Sequence, residues 1–364
     1  MSRMAAAHPL LEGAEQSLVR LRSALGERKH FLIYSHMNPD PDTVGSALGL
    51  RFLLERVFGR HAAVCYRGII GRAENRELVR LLAPDLKPAR LVPQEQFEAS
   101  FLVDCQPDFG FNGEVDRVPL LGVFDHHPDS GSARGLAFSD IRPGYGSTST
   151  IITEYVRAAG EEPGAVVASA LWYGLKTDTA DLSRRSSPAD FAARDWLALR
   201  VDRAALAAIE NPKLSRSYYA SLMTALSRAV CWRELVMTEI GRLPYPDMVA
   251  EIADRLIRME QVQWSVCCGL HEKRLYLSVR TSHPTLDAGL LVKRVLRGRG
   301  AGGGHDTMAA GRIELADEGR ETYRVAVEDV WQRFREALEL AGVTGERLIE
   351  HPPEGPRVGG LRPA

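Results

Sequence analysis

Four short clusters of aspartates and histidines in the first half of the chain contain the residue types best suited to chemistry. The clusters lie in the segments His36–Asp42, Val103–Cys105, Asp125–Pro128 and Gly174–Thr179. Together they supply three histidines and five carboxylates, groups that bind divalent cations. Two such ions about 3.5–4 Å apart can stabilise the attacking and leaving oxygens of a displacement at phosphorus. The clusters therefore predict an enzyme that cleaves phosphoester bonds with the help of metal ions.

Most of these clusters also have a purely structural explanation when each is considered alone. Asp42 or Thr43 could cap a following helix, because both side chains accept hydrogen bonds from the first backbone amides of helices. Asp104 and Asp178 could each occupy an ordinary turn. Residues 125–127, an aspartate followed by two histidines, are uncommon inside a core and favour a functional site. The occurrence of all four clusters in one chain favours the metal interpretation.

Apolar runs indicate which elements must position these clusters. Four runs predict strands: Phe31–Ser35, Ala62–Tyr66, Ser100–Val103 and Leu120–Phe124. Helical patterns such as Gly45–Phe58 separate them, which is typical of a parallel sheet buried on both faces. Ligands of such sheets bind at the carboxyl ends of the strands, where three of the four clusters occur. The fourth, with Asp178, follows a helical run over 166–175.

A second α/β pattern occupies the rest of the chain. Its predicted strands are Leu235–Ile240, Val262–Leu270 and Arg274–Arg280, and its predicted helices lie near 248–259, 286–296 and 323–340. The fold class is therefore α/β, with a parallel-sheet domain over 1–188 and a smaller α/β domain over 231–345. We expect a helical linker over 189–230, a Pro- and Gly-rich disordered tail over 346–364, and an active site in the cleft between the two domains.

Composition excludes several kinds of partner. A net charge of −1 argues against binding to long nucleic acids or acidic membranes and fits a short anionic substrate. Apolar residues make up 45% and charged residues 26% of the chain, as in ordinary globular proteins. The five cysteines form no CxxC pair, no apolar run reaches the roughly 20 residues of a membrane span, and the first residues lack a secretory pattern. These features predict a cytoplasmic protein, either a monomer or a homodimer.

The glycine-rich segment Gly298–His305 is the main candidate for chemistry in the second half. It contains a formal G-x-G-x-x-G pattern, but a helical pattern precedes it, so it does not predict a dinucleotide fingerprint. Glycines let backbone amides approach an anion closely, and His305 can donate to phosphate. Gly302, Gly303, Gly304 and His305 are therefore predicted to form a substrate loop, with a flexible loop of no function as the alternative. Ala309, Ala310 and Gly311 are expected to pack behind it.

Taken together, these motifs resemble the DHH phosphoesterase superfamily, whose signature is the triplet Asp125-His126-His127. The resemblance covers His36–Ser46, Asp104, Asp125–Pro128 and Gly174–Thr179, and Gly302–His305 resembles the substrate domain that follows in many members. Two positions depart from the family pattern, since Pro41 and Ala180 stand where the family has glycine. Proline fixes φ near −65°, so the turn at Pro41 must avoid left-handed geometry. Neither change removes a ligand.

The resemblance implies a role for each residue of the four clusters. One metal ion would be held by His36, Asp40 and Asp104, and a second by Asp42, Asp104, His126 and Asp178, with Asp104 bridging. Asp125 would orient a histidine and His127 would face the substrate. The ions would activate a hydroxide for in-line attack on phosphorus. Mn²⁺ is favoured because the ligands are imidazole and carboxylate, with Mg²⁺, Co²⁺ or Zn²⁺ as alternatives.

The resemblance also implies a substrate class. Arg280 and Ser282 match the position where relatives hold a terminal phosphate. The two-domain layout resembles enzymes that degrade oligoribonucleotides of a few nucleotides (nanoRNases) and dephosphorylate 3′-phosphoadenosine 5′-phosphate (pAp). Two alternatives remain, a phosphodiesterase for cyclic or linear dinucleotides and a nucleotide-binding sensor without turnover. In each case the partner is a short nucleotide rather than a long nucleic acid.

Overall fold

The protein, seen in a computed structural model, is described here over residues 9–108, 117–283 and 285–349, without the side chains of 9–12 and 305. It divides into two compact units, Met1–Pro212 (unit 1) and Lys213–Ala364 (unit 2). Each unit contains its own sheet, so the predicted α/β class is confirmed. Within the described ranges, no helix is both long enough and apolar enough to cross a membrane.

Unit 1 alternates strands and helices in the predicted way. Its strands are β1 His30–Met37, β2 His61–Arg67, β3 Lys87–Pro88, β4 Ala99–Val103, β5 Leu120–Asp125 and β6 Phe138–Ile141. Its helices are α1 Pro9–Leu25, α2 Pro41–Phe52, α3 Ala73–Leu82, α4 Thr148–Ala158, α5 Ala165–Asp178, α6 Pro188–Ala198 and α7 Arg203–Glu210. The single predicted helix Gly45–Phe58 corresponds to α2 and a π-helical turn over Leu53–Val57.

The sheet of unit 1 is wholly parallel in the order β3-β2-β1-β4-β5-β6. The chain proceeds outward from β1 to β3 and then returns to lay β4 on the other side of β1. Two neighbouring strands whose connections leave in opposite directions form a topological switch point, where a crevice opens at their carboxyl ends. The ends of β1 and β4 are therefore the expected place for a ligand.

Both faces of this sheet are buried, as the continuous apolar runs predicted. Phe31 and Ile33 of β1 pack with residues of α1, α2, α4 and α5 in one core cluster. Leu32 and Tyr34, which alternate with them, pack in a second cluster with segments that connect the strands. Because successive side chains of a strand point to opposite faces, a strand covered on both sides must be apolar throughout.

The start of α2 accounts for the proline that replaces the family glycine. Asp40 is the N-cap, and its side chain accepts a hydrogen bond from the Thr43 amide at 2.9 Å. Pro41 occupies the first turn of the helix, where a fixed φ is compatible with helical geometry and no amide proton is needed. The proline therefore leaves the positions of Asp40 and Asp42 intact.

Unit 2 contains a mixed seven-stranded sheet. Its strands are β7 Val230–Trp232, β8 Leu235–Arg242, β9 Trp264–His271, β10 Arg274–Thr281, β11 Ala301–His305, β12 Met308–Glu314 and β13 Glu346–Arg347. Its helices are α8 Arg216–Arg228, α9 Met248–Leu256, α10 Ala288–Val295 and α11 Arg320–Ala337. The sheet order is β11-β12-β10-β9-β8-β7-β13, and only β8 and β9 are parallel. Every strand and helix predicted in this half is present.

The predicted substrate loop is an edge strand instead. Residues 301–305 form β11 and pair with β12, so that Gly302, Gly303 and Gly304 lie opposite Gly311, Ala310 and Ala309. The prediction of a loop was wrong because small residues on both strands permit α10 to approach closely. A β-carbon on Gly302 would lie 2.6 Å from Val292, which belongs to α10. Ala309–Gly311 contact the glycines as expected, but they lie beside them on the paired strand rather than behind a loop.

Two predicted boundaries also differ from the structure. The segment 189–230 is not a separate linker, because α6 and α7 pack in unit 1 whereas Tyr218 and Ala225 of α8 pack in a core cluster of unit 2. The tail does not begin at 346, because β13 pairs with β7 and the preceding Gly345 lies against Trp232. Residues 350–364, the remainder of the predicted tail, lie outside the described residues.

Candidate metal centre

The six candidate ligands come together at the switch point of the unit 1 sheet. His36 is near the end of β1, Asp104 follows β4 and His126 follows β5. Asp178 is the last residue of α5. Asp104 has φ of 60°, a backbone conformation that a residue other than glycine adopts at some cost and that is common at functional sites. The candidate ligands predicted in the first half of the chain thus form one constellation in the structure.

Asp104 lies at the middle of this constellation. Its Oδ2 is 3.6 Å from Nε2 of His36, and its Oδ1 is 3.5 Å from Nε2 of His126. Two hydroxyl groups hold the carboxylate, since Thr43 donates to Oδ2 at 2.8 Å and Thr148 donates to Oδ1 at 3.0 Å. Each oxygen of one buried carboxylate therefore faces a different histidine, which is the arrangement of a ligand shared by two cations.

The other nitrogen of each histidine is held by the backbone. Nδ1 of His36 lies 2.8 Å from the carbonyl of Met37, and Nδ1 of His126 lies 3.2 Å from the carbonyl of Tyr145. A carbonyl only accepts, so each Nδ1 carries a proton and each Nε2 is directed at the carboxylates. This is the second contact that metal-binding histidines usually make.

The environment of His126 Nε2 fits a bound cation. This nitrogen lies 3.0 Å from Oδ2 of Asp178 but, among the described residues, it is buried without a hydrogen-bond partner. A buried nitrogen beside two carboxylates and aligned with neither is well placed to bind an ion between them. The donor set, imidazole and carboxylate without thiolate, suits Mn²⁺ and related ions.

Two groups of potential ligands can be separated by geometry. His36, Asp40 and Asp104 place one ligand atom each within 4.8 Å of one another, and so do Asp42, His126 and Asp178. A third group consists of Asp104, His126 and His127. It shares Asp104 with the first group and His126 with the second. The first group equals the first set that the family resemblance implied, and the second group contains the second set without Asp104, which lies 3.5 Å from His126.

The two histidines titrate far above their usual range. Burial alone lowers the pKa of His36, but the charges of Asp40 and Asp104 outweigh it and raise the pKa to about 10. Burial likewise opposes the charged form of His126, while Asp178 and Asp104 raise its pKa to about 11. Without a metal ion, both Nε2 atoms therefore hold protons at neutral pH, and a cation would have to displace these protons to bind there.

The carboxylates carry more negative charge than the protein can stabilise alone. Burial, and then the charge of Asp178, raise the pKa of Asp42 to about 7. Burial and the charge of Asp42 raise the pKa of Asp104 well above its usual range. Burial also opposes ionisation of Asp40, but the adjacent His36 keeps its pKa low. Cations in the centre would relieve the repulsion that these shifts report.

Asp125 positions His127 and is itself fixed from behind. Oδ1 of the fully buried Asp125 lies 2.8 Å from Nδ1 of His127. Gln106 donates to Oδ2 of Asp125 at 2.7 Å, and the Gln106 carbonyl oxygen accepts from the amide of Ser130. Burial raises the pKa of Asp125, but the hydrogen bonds from His127 and Gln106 and the charge of His127 together outweigh burial and lower the pKa. The imidazole of His127 is 40% exposed, and its contact with Asp125 fixes the orientation of the ring.

An ionic cluster supports the carbonyl that holds His126. Arg142 donates to Asp140 at 2.6 Å and to Glu154 at 2.6 Å, and its carbonyl accepts from the Tyr145 amide at 3.0 Å. Burial opposes the charge of Arg142, but Asp140 and Glu154 outweigh it and raise the pKa. The turn that carries Tyr145 is therefore anchored at Arg142, and sequence reasoning missed this support.

Other missed residues have a signal in the sequence. Ser147, Thr148, Ser149 and Thr150 are all fully buried at the start of α4. A run of four small hydroxyl residues before the apolar Ile151-Ile152 marks a helix start with hydrogen bonds to make. The Thr148 amide donates to Asp42 and the Thr148 hydroxyl donates to Asp104, so both groups hold candidate metal ligands. Gln106 and the Tyr145 carbonyl have no comparable signal.

The candidate substrate residues of unit 2 lie near one another along the sheet. Backbone pairing places Arg280 opposite Met308, and Met308 opposite His305, across three adjacent strands. The Arg280 guanidinium is fixed by Asp254 and, at 2.7 Å, by Ser278. Ser282 is exposed and follows the end of β10, and the side chain of His305 lies outside the described residues.

Family models match both units. The model of the DHH family, N-terminal domain, matches residues 30–175, which contain the ends of β1, β4 and β5. The model of the DHHA1 domain matches residues 237–338. The chain therefore contains a DHH domain and a DHHA1 domain. This DHH protein carries its candidate metal ligands in the first match, apart from Asp178, which lies three residues beyond it, and its candidate substrate residues in the second.

Three relatives illustrate the range of similar proteins. An uncharacterized protein of Methanocaldococcus jannaschii is 28% identical over 93% of this chain and 69% of its own length. The A-adding tRNA nucleotidyltransferase of Geobacter sulfurreducens is 30% identical over 58% of this chain. A "probable manganese-dependent inorganic pyrophosphatase" of Streptococcus suis is 28% identical over 41% of this chain. The DHH protein spans 24% and 48% of the lengths of these two named enzymes.

A solved structure supports the fold. The crystal structure of an exopolyphosphatase-related protein from Bacteroides fragilis superimposes with a TM-score of 0.69 and 14% sequence identity. The match covers 93% of this chain and all of the other. At this level of identity the likeness establishes a common fold of the two chains.

Proposed function

We propose that this DHH protein is a two-metal phosphoesterase that hydrolyses short nucleotide substrates. The proposed substrates are oligoribonucleotides of a few nucleotides, pAp, or both. The observation that carries the proposal is the position of Asp104, whose two oxygens each face the Nε2 of a different histidine, His36 or His126. A carboxylate that faces two groups of ligands is suited to bridge the two ions of a two-metal hydrolase.

The relatives support the metal and the reaction class. One is named for manganese-dependent action on inorganic pyrophosphate and another for adding a nucleotide to tRNA, so both are named for chemistry at phosphorus. We therefore propose Mn²⁺ as the ion and phosphoester or phosphoanhydride bonds as the target. The net charge of −1 supports a short substrate over a long polyanion.

The proposed ligands are His36, Asp40 and Asp104 for one ion, and Asp42, Asp104, His126 and Asp178 for the other. Bound there, the ions would supply Lewis acidity toward phosphate oxygens and activate water. The backbone carbonyls that accept from Nδ1 of His36 and His126 keep each Nε2 directed inward. Thr43 and Thr148 keep both oxygens of Asp104 in position.

The proton donor in this proposal is His127. Asp125 accepts from Nδ1 and thereby fixes the ring, so a doubly protonated His127 carries its second proton on Nε2. Transfer of that proton to the leaving oxygen leaves a neutral imidazole whose Nδ1 proton remains on its bond to Asp125. A positioned acid of this kind accelerates bond cleavage by roughly 10²–10⁴-fold.

Unit 2 is proposed to recognise the substrate through Arg280, Ser282 and the strand Gly302–His305. Asp254 and Ser278 fix the guanidinium of Arg280, so little side-chain freedom is lost when it binds a phosphate. The glycines expose an edge of backbone amides on β11. These assignments give unit 2 a binding role and unit 1 the chemical role.

The test is hydrolysis by the purified full chain with Mn²⁺, Mg²⁺ or EDTA. The substrate panel contains 5′-phosphorylated RNA dinucleotides, a longer RNA, pAp, cyclic dinucleotides and pyrophosphate. We expect Mn²⁺-dependent release of mononucleotides from the dinucleotide, or of phosphate from pAp, with little action on the longer RNA. Asp104→Asn should abolish turnover.

Asp195→Asn is the matched control, because the side chain of Asp195 is 72% exposed on α6 and lies outside the constellation. It should retain the full rate. If the protein prefers cyclic dinucleotides or pyrophosphate, the proposed two-metal chemistry would be supported and the proposed substrate class would be wrong. Absence of turnover on every substrate with metal bound would contradict the enzyme and support a nucleotide-binding sensor.

A further inference from the structure

Unit 2 contains a cavity that the proposed function does not use. Its volume is about 780 Å³, within the range of roughly 300–1,000 Å³ that is typical of small-molecule sites. The described residues that line it fall between Arg228 and Arg347, so all of them belong to unit 2. Gly241 and Leu270 line the cavity where the pairing of β8 with β9 shifts register.

One wall of the cavity is an apolar stripe of α11. Tyr323, Val327 and Trp331 are spaced by four residues and therefore lie on the same face of the helix. Tyr323 donates to Glu239 at 2.7 Å and accepts from the Gly241 amide at 3.1 Å, which fixes its ring. The half-buried Trp331 packs edge-to-face on Trp232 with ring centroids 5.7 Å apart. The wall is thus aromatic and held in place before any ligand binds.

The rim of the cavity carries excess positive charge. Five arginines and three glutamates line it. Three arginines pair with lining glutamates: Arg228 with Glu239, Arg242 with Glu318, and Arg324 with Glu328. The other two, Arg320 and Arg347, are exposed, and their side chains make no ion pair with any residue that the structure describes. Two positive charges therefore remain without a compensating carboxylate beside an aromatic wall.

We propose that this cavity binds a nucleoside phosphate. A phosphate monoester carries close to two negative charges at neutral pH, which match the uncompensated charges of Arg320 and Arg347. A flat base can pack on Trp331 and the neighbouring Val327, where aromatic contact contributes beyond simple burial. The site requires both parts of the ligand, because the charges are on the rim and the aromatic surface is on the wall.

The cavity lies away from the proposed substrate residues of the same unit. Leu270 pairs with Leu275 near one end of the β9–β10 pair, whereas Arg280 pairs with Ser265 near the other end. Five residues along a strand correspond to about 17 Å. A nucleotide in the cavity would therefore leave Arg280 and its neighbours accessible, which defines a second nucleotide site on the same sheet.

The test is titration of the full chain with AMP, adenosine and inorganic phosphate by calorimetry in EDTA. AMP is expected to bind at least tenfold more tightly than adenosine or phosphate. The double variant Arg320→Gln/Arg347→Gln should weaken AMP binding at least tenfold, and it breaks no ion pair, so the fold should persist by circular dichroism. Trp331→Leu should also weaken AMP binding.

The matched control is Arg258→Gln/Arg297→Gln, which removes the same charge from exposed positions of unit 2 outside the cavity. It should leave AMP binding unchanged. Equal weakening in both double variants, phosphate binding as tight as that of AMP, or no AMP binding at millimolar concentration would overturn the proposal. The titration contains no metal and involves no turnover, so its result is independent of whether unit 1 is a hydrolase.

Discussion

The buried carboxylate of Asp42 accepts a hydrogen bond from the backbone amide of Thr148 at 2.7 Å. Its other oxygen accepts from the next amide along the chain, that of Ser149, at 2.8 Å. A residue in the first turn of α2 thereby satisfies two amides in the first turn of α4, where the helix dipole also favours a negative charge. Asp42 is thus a structural anchor as well as a candidate metal ligand.

Replacing Asp42 should lower the free energy of unfolding more than replacing the nearby Asp40. Asp42→Ala leaves two buried amides without partners, and we expect a loss of about 3 kcal/mol in the free energy of unfolding. Asp40→Ala removes one cap from α2 and should cost about 1 kcal/mol, since the Asp40 side chain is 41% exposed. Urea unfolding in EDTA measures both values without a contribution from metal. Equal losses would show that the contacts of Asp42 contribute no more than a cap.

Metal binding should release protons and strengthen as pH rises. The pKa values of His36 and His126 are raised to about 10 and 11, so both rings are protonated at neutral pH without metal. A cation at Nε2 must displace each proton, and this competition weakens as pH increases. We expect Mn²⁺ affinity to increase between about pH 6 and pH 9. Calorimetry in two buffers of different ionisation enthalpy measures the number of protons that are released when Mn²⁺ binds.

His36→Gln is the internal control for that count. The variant removes one of the two protons that the histidines lose, so it should release about one proton fewer than the original chain on binding Mn²⁺. Affinity that stays constant across the pH range would show that neither ring holds a proton that the metal displaces.

His127→Gln should separate proton donation from metal binding. Asp125 holds Nδ1 of His127 at 2.8 Å, and the ring lies 4.0 Å from Asp104 at its nearest oxygen. We expect kcat to fall by roughly 10²–10⁴-fold with the number of bound Mn²⁺ ions unchanged. His126→Gln should instead lose a bound ion. Metal analysis of both purified variants distinguishes the roles, and loss of an ion from His127→Gln would make His127 a ligand.

Neighbouring glycines of β11 should differ sharply in tolerance to alanine. Gly304 has φ of +151°, and a β-carbon there would lie 2.2 Å from the Met308 carbonyl. The nearest atom to a β-carbon on Gly303 belongs to Lys293 at 3.7 Å, an ordinary contact. Gly304→Ala should cost at least about 2 kcal/mol, because backbone strain alone costs about 1–3 kcal/mol, whereas Gly303→Ala should stay within about 0.5 kcal/mol. Similar unfolding midpoints would contradict the close packing of this hairpin.

Much of unit 1 could be predicted because its signals are local. A strand buried on both faces is apolar throughout, so runs such as Phe31–Ser35 stand out, and the polar cluster that follows marks the carboxyl end. The helix after β1 was also predicted, but it begins at Pro41 rather than Gly45, and its cap is Asp40 rather than Asp42 or Thr43. These signals indicated that three of the four clusters lie at strand ends, and the family resemblance added Asp178, which follows a helix. The structure brings all six candidate ligands together.

The features that were missed depend on contacts between distant residues. Nothing near Asp104 in the sequence shows that hydroxyls of Thr43 and Thr148 hold it, since those residues are 61 and 44 positions away. Glycine-rich sequence usually indicates a loop, so β11 became recognisable only from its pairing with β12. Such pairing is decided by packing against α10 rather than by local preference.

The order of strands in unit 1 sets when the proposed metal ligands of a newly made chain could come together. His36 and Asp104 become neighbours only after β4 docks beside β1, following the synthesis of β2 and β3. His126 and Asp178 are added later still, so the second group of ligands is complete only when α5 has left the ribosome. A nascent chain that ends between these points could bind one ion at most. Metal binding during translation would then indicate that the connection from β3 to β4 has placed β4 beside β1.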